Sequence, residues 1–81
     1  MSDHRFPRDA PLSQVLSALE NLGFHVVRRG NHIALARSNA DGTTTPMTIP
    51  NHRQLKASTL RTILSQAGID RDTLILEYDK G

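Results

Sequence analysis

The chain has no cysteine and no tryptophan, and its only aromatic residues are Phe6, Phe24 and Tyr78. Without thiols there is no disulfide framework, zinc ribbon, cysteine nucleophile or redox pair, and nothing points to an oxidising compartment. So few aromatic rings offer little for nucleobases to stack on, so any nucleic-acid binding is expected to be weakly sequence-selective. No apolar run approaches the roughly 18 residues of a membrane helix. The first nine residues mix Asp3, Arg5, Arg8 and Asp9, where a secretory signal would carry an apolar stretch. These absences lead to the expectation of a cytoplasmic protein, with no membrane partner, that folds on packing alone.

At 81 residues and 9.0 kDa the chain is expected to form a single domain spanning residues 1–81, because so short a chain buries only about 60% of its unfolded surface and cannot enclose two cores. A hydrophobic content of 37% with 22% charged residues is that of a globular domain, not a disordered tail. The net charge of +2 is unevenly placed. Residues 1–22 sum to −1 and residues 70–81 to −2, whereas residues 23–69 set Arg28, Arg29, Arg37, Arg53, Lys56 and Arg61 against Asp41 alone, giving +5. A positive field concentrated in this way favours an anionic partner such as nucleic acid. For any one of these cations, a solvated surface charge is the simpler reading.

Leu12, Val15, Leu16, Leu19 and Leu22 recur at the spacing of one helical stripe. Asp9 stands where a capping carboxylate would precede that helix, Pro11 is tolerated in its first turn, and Gly23 followed by Phe24 reads as its C-terminal signal. Leu60, Ile63, Leu64 and Ala67, followed by Gly68 and Ile69, repeat the design. Between these helices the period shortens to two. Phe24 and Val26 alternate with His25 and Val27 up to Arg28, Arg29 and Gly30. Ile33, Leu35 and Arg37 alternate with His32, Ala34 and Ala36, and Thr45–Ile49 forms a third strand with Met47 and Ile49 on one face. Asn39, Asp41 and Gly42 lie in the hairpin connection from Ser38 to Thr43. Pro46 suits an edge strand. Residues 70–78 read as a short helix capped by Asp70, with an added strand as the alternative.

The expected fold is therefore α+β, in the order α-β-β-β-α, with a three-stranded antiparallel sheet, two helices on one of its faces and a possible short C-terminal helix. Such an arrangement leaves the second face of the sheet to solvent or a partner. With Ile33 and Leu35 turned to the helices, His32 lies on the open face between small alanines, and a register error of one residue would reverse this.

The order Gly23-Phe24, Arg29-Gly30-Asn31-His32-Ile33, Ile49-Pro50-Asn51-His52, Leu55-Lys56, Thr59-Leu60-Arg61, Ile63-Leu64 and Gln66-Ala67-Gly68-Ile69 resembles the HicA (YcfA-like) family, the small mRNA-interferase toxins of HicA–HicB toxin–antitoxin pairs. The resemblance covers roughly residues 10–76 and rests on several spaced motifs together. It implies a fold like that of double-stranded-RNA-binding domains, and a HicB-like antitoxin as partner, with the toxin a monomer alone and part of a hetero-oligomer when neutralised. It also implies a catalytic histidine at the start of the second strand, which here is His32. The extension Met1–Arg8 and the acidic tail after Ile69 depart from the shortest members without touching the motif.

A ribonuclease working without a metal uses the 2′-hydroxyl of RNA as nucleophile and needs a base, an acid and cations around the phosphate. An imidazole, with an ordinary pKa near 6.5, serves in the first two roles. On the strength of the resemblance His32 is the expected general acid or base; from spacing alone it would be a strand histidine facing water. Asn31 is expected to orient substrate or ring, and Arg28, Arg29, Arg37, Lys56 and Arg61 to contact RNA. Lys56 is the foremost phosphate contact because it opens the second helix. His52 is a possible substrate contact or a turn residue, His25 a strand residue, and His4 a terminal one. No two histidines have metal-ligand spacing, so no cofactor is expected. Two other readings remain open: a non-catalytic RNA-binding module of the same fold, and a basic face that serves only to meet an acidic antitoxin.

Overall fold

A computed structural model of the chain describes residues 8–80; His4 and most of the N-terminal extension lie outside them. The elements in chain order are β1 (Asp9–Pro11), α1 (Leu12–Asn21), β2 (His25–Arg29), β3 (His32–Ser38), β4 (Thr44–Pro50), β5 (Gln54–Lys56), α2 (Ala57–Ala67) and α3 (Arg71–Lys80). Strands β2, β3 and β4 make an antiparallel sheet in that order. The leucine stripe makes α1 amphipathic, and Val15, Leu16, Ala18 and Leu19 are its buried residues. They meet Ile33 and Leu35 of β3, Met47 and Ile49 of β4, and Leu60, Ile63 and Ala67 of α2 in one core. Fully burying each of the larger side chains contributes about 1.5–3 kcal/mol, which is how a chain without disulfides holds together.

Both helix ends follow the glycine signals. Gly23 has φ +98°, and the Gly23 and Phe24 amides donate to the carbonyls of Glu20 and Leu19, a Schellman closure. Gly68 has φ +67°, and its N–H and that of Ile69 both donate to the Leu64 carbonyl. Residues 71–80 are helical, as the favoured reading of the tail had it, and the Thr73 amide donates to Asp70 Oδ1 at 2.7 Å. The Thr73 side chain and amide hold the Asp70 carboxyl below its ordinary 3.8. α3 buries Leu74 and Ile75 and lies beside α1, where Gln14 Nε2 donates to the Tyr78 carbonyl at 2.8 Å.

Two local features differ from the sequence reading. Asp9 does not cap α1; Pro11 holds the cap position, with no side-chain capping bond. Instead β1 pairs antiparallel with β5, Asp9 opposite Lys56 and Ala10 opposite Leu55, and the Leu12 amide donates to the Arg53 carbonyl at 2.9 Å. Ala10 and Leu55 are almost completely buried, so core packing outweighs one exposed capping bond of about 1 kcal/mol. The second difference is a β-bulge in β2. Val26 pairs with Leu35 and Arg28 with Ala34, leaving Val27 as an extra residue that is 62% exposed. Simple alternation would turn Arg28 towards the helices. The inserted residue shifts the phase and puts Arg28 across from Ala34 on the open face.

The border of the sheet along β4 is sealed. Gln66 Nε2 donates to the Thr48 carbonyl at 3.0 Å, and the Thr48 amide donates to Gln66 Oε1 at 2.9 Å. Positions two residues either side of Thr48 turn their main-chain groups the same way. Both are proline, Pro46 and Pro50, with no N–H to offer a passing strand.

Candidate functional site

The register decides what shares the open face. β3 pairs His32 with Pro50, Ile33 with Ile49 and Ala34 with Thr48. Ile33 and Leu35 are buried, so His32 and Ala34 point to the opposite side. There they line an open groove of about 320 Å³ together with Arg28, Gly30 and Asn31. The bulge supplies Arg28, and Gly30 supplies room. A Cβ added at Gly30 would come no nearer than 3.9 Å to any of its surroundings, the His32 carbonyl.

The turn carrying the histidine is held by main-chain and amide bonds. The Gly30 amide donates to the His32 carbonyl at 3.0 Å, and the Asn51 amide donates to the Asn31 carbonyl at 3.2 Å. Asn51 Nδ2 donates to the Gly30 carbonyl at 2.9 Å. His32 is exposed, as are Arg28 and Asn31. From residue 21 to residue 69 the chain carries one carboxylate, Asp41, and it sits in the distal β3–β4 hairpin, where the Thr43 side chain and amide bond to it and lower its pKa. The groove lining carries a cation and an imidazole and no acid. Such a surface can accept a phosphodiester and exchange protons with it.

Of the residues expected to act, Arg28, Asn31 and His32 are brought together in the groove. Arg29, the last residue of β2, pairs with Ile33 and does not line it. Lys56 occupies the N-cap of α2 in extended conformation, and Arg61 is exposed in the following turns. His52 is exposed in the connection between β4 and β5, outside the groove lining. His25 opens edge strand β2, also exposed. Arg37 is engaged elsewhere: its guanidinium lies 4.8 Å from the centre of the Phe24 ring, and Nη2 donates to the Ala67 carbonyl at 3.2 Å. Its alternation with Ile33 and Leu35 puts it on the helix side, where a cation also suits the C-terminal end of α2. Among the described residues no three His, Asp or Glu side chains converge as a metal site, and no helix is long and apolar enough to cross a membrane. Gly30 and Asn51 are the contributors that composition and spacing did not single out; Asn51 was visible only as part of a Pro-Asn-His motif.

A family model described as the HicA toxin of bacterial toxin–antitoxin matches residues 12–69. No match is found among curated proteins or among solved structures.

Proposed function

The chain belongs to the HicA toxin family of bacterial toxin–antitoxin systems, and from that membership we propose that it is an endoribonuclease acting on mRNA, with His32 as its proton-transferring group. In this reading the 2′-hydroxyl of the substrate attacks the adjacent phosphorus and the bond to the 5′-oxygen of the next nucleotide breaks. The products are a 2′,3′-cyclic phosphate and a free 5′-hydroxyl. His32 takes the 2′-hydroxyl proton or gives one to the leaving oxygen. Arg28 offsets the charge that builds on the phosphate oxygens. Asn31, beside the imidazole, orients the sugar or the ring. Neither attack nor departure needs a bound metal in this scheme.

The observation that supports this most directly is an exposed imidazole in an open groove next to a guanidinium with no carboxylate in the lining. Outside the groove lining, the exposed cations Arg29, Lys56 and Arg61, with His52, are proposed to contact the rest of the RNA, each true phosphate contact steepening the salt dependence of binding by about one counterion. Arg37 is left out of this set because its guanidinium is already bonded to α2. A HicB-like antitoxin is the proposed neutralising partner, covering the open face of the sheet and forming a hetero-oligomer with an otherwise monomeric toxin.

The test is incubation of the wild type and His32→Ala with unstructured RNA in excess chelator, followed by analysis of product ends. Cleavage by the wild type alone, leaving cyclic phosphate, is expected. Equal RNA binding by both proteins with cleavage by neither would identify a binding module instead. Cleavage that stops in chelator would refute metal independence.

A further inference from the structure

Three consecutive carbonyls belong to the turn that carries His32, and one residue just past the end of β4, Asn51, donates to two of them. The Gly30 carbonyl receives Asn51 Nδ2 at 2.9 Å, and the Asn31 carbonyl receives the Asn51 amide at 3.2 Å, while the third, that of His32, is bonded to the Gly30 amide at 3.0 Å. His32 is the first residue of β3, a place where a strand would otherwise fray. Its register partner Pro50 is the last residue of β4. Asn51 therefore extends the ladder one step past the end of β4 and adds a side-chain bond to the far limb of the turn.

Fixing the direction of these carbonyls fixes the peptide planes on either side of residue 31, and with them the direction in which the His32 Cα–Cβ bond leaves the sheet. Resting on the reading of His32 as the proton-transferring group, we propose that Asn51 is its positioning residue, acting by donating its side-chain amide to the Gly30 carbonyl. Asn51 is outside the groove lining, and its side-chain amide is already bonded to the turn, on the Gly30 carbonyl. The bond is exposed: water takes over the Gly30 carbonyl when the amide is removed, so the fold survives. Water does not, however, hold the peptide plane in one orientation. A misplacement of the reacting group by about 1 Å is enough to lower a rate about a hundredfold, so loss of the tie acts on turnover far more than on stability.

The experiment compares the wild type with Asn51→Ala and Asn51→Asp, the second keeping the size of the side chain while removing the donor. Three quantities are read for each: kcat and KM for RNA cleavage, the thermal midpoint, and the His32 ring signals in ¹H–¹³C NMR spectra without RNA. Expected for both variants is a fall in kcat of about tenfold or more, with thermal midpoints close to the wild type and shifted or broadened His32 ring signals. For Asn51→Ala, KM stays within about twofold. Wild-type kcat in Asn51→Asp, or ring signals that superimpose on those of the wild type, would overturn the proposal. So would a kcat loss that merely tracks a lowered thermal midpoint. If the wild type itself cleaves no RNA, the ribonuclease reading fails, and the ring signals still decide whether Asn51 positions His32.

Discussion

Replacing Gly30 by alanine separates the groove from the fold. Gly30 is not among the glycines with positive φ, which are Gly23, Gly42 and Gly68, and a Cβ there would meet nothing closer than the His32 carbonyl at 3.9 Å. The backbone bond from the Gly30 amide to His32 is untouched by the change. A glycine replaced by alanine at a compatible position stabilises by about 0.4–1 kcal/mol, through the unfolded chain. For a domain of this size that is a rise in the thermal midpoint of roughly 2–8 °C. The added methyl nevertheless takes up room in the groove that Gly30 lines together with Arg28 and His32, where the proposed reaction holds the sugar–phosphate close to the imidazole. Displacing that chain by about 1 Å lowers kcat/KM by about ten- to a hundredfold, equivalent to roughly 1.4–2.7 kcal/mol. Thermal denaturation and RNA cleavage, with His32→Ala as the inactive baseline, measure both effects on one preparation. Undiminished cleavage in a stabilised Gly30→Ala would mean that substrate does not use this groove. A lowered midpoint would mean that the turn does not tolerate the side chain.

Other outcomes follow from the same geometry. Deleting Val27 removes the unpaired residue of the bulge while keeping Val26 opposite Leu35 and Arg28 opposite Ala34; the fold should survive with a cost of about 1 kcal/mol or less, because Val27 is already mostly in water, whereas deleting Ala34 reverses the faces of β3 and should prevent folding, as circular dichroism would report. Gly68→Ala should cost about 1 kcal/mol for its left-handed backbone, and Gly23→Ala more, since φ +98° is less accessible and a Cβ would lie 3.3 Å from Arg37 Cδ; denaturant titration ranks the two. Asp70 has a carboxyl pKa lowered in the fold by its bonds to the Thr73 side chain and amide, so its contribution is present above the ordinary carboxylate value and is lost as pH falls through the folded one. Asp70→Asn, which keeps an acceptor but cannot titrate, should flatten the fall in thermal midpoint below about pH 4; an unchanged acid limb would refute the linkage.

Much of this was legible in the sequence, for identifiable reasons. The leucine stripe of α1 and the paired glycine signals at Gly23 and Gly68 are local, and local signals survive folding. The alternation around Ile33 and Leu35 foretold that His32 would face away from the helices, because a two-residue period leaves no third choice. Three things were not legible. β1 and β5 are three residues each, too short for a period, and they exist because Ala10 and Leu55 find each other across 45 positions of sequence. The bulge at Val27 is a matter of how β2 meets β3, and two adjacent valines give no sign of which one is surplus. Arg37 and Asn51 depend on partners brought near only by the closed fold, so the former read as one more basic residue and the latter only as part of a Pro-Asn-His motif.

Arg37 has a consequence for how the molecule opens. Its stem lies against Gly23, its planar head over Phe24, and its Nη2 on Ala67, so a single side chain rooted in the central strand touches the trailing ends of both α1 and α2. Neither helix can unwind from that end without releasing it. In native-state hydrogen exchange the last turns of the two helices should therefore lose protection together, as one cooperative unit, and Arg37→Lys, which keeps the charge but not the flat fork, should let each fray on its own.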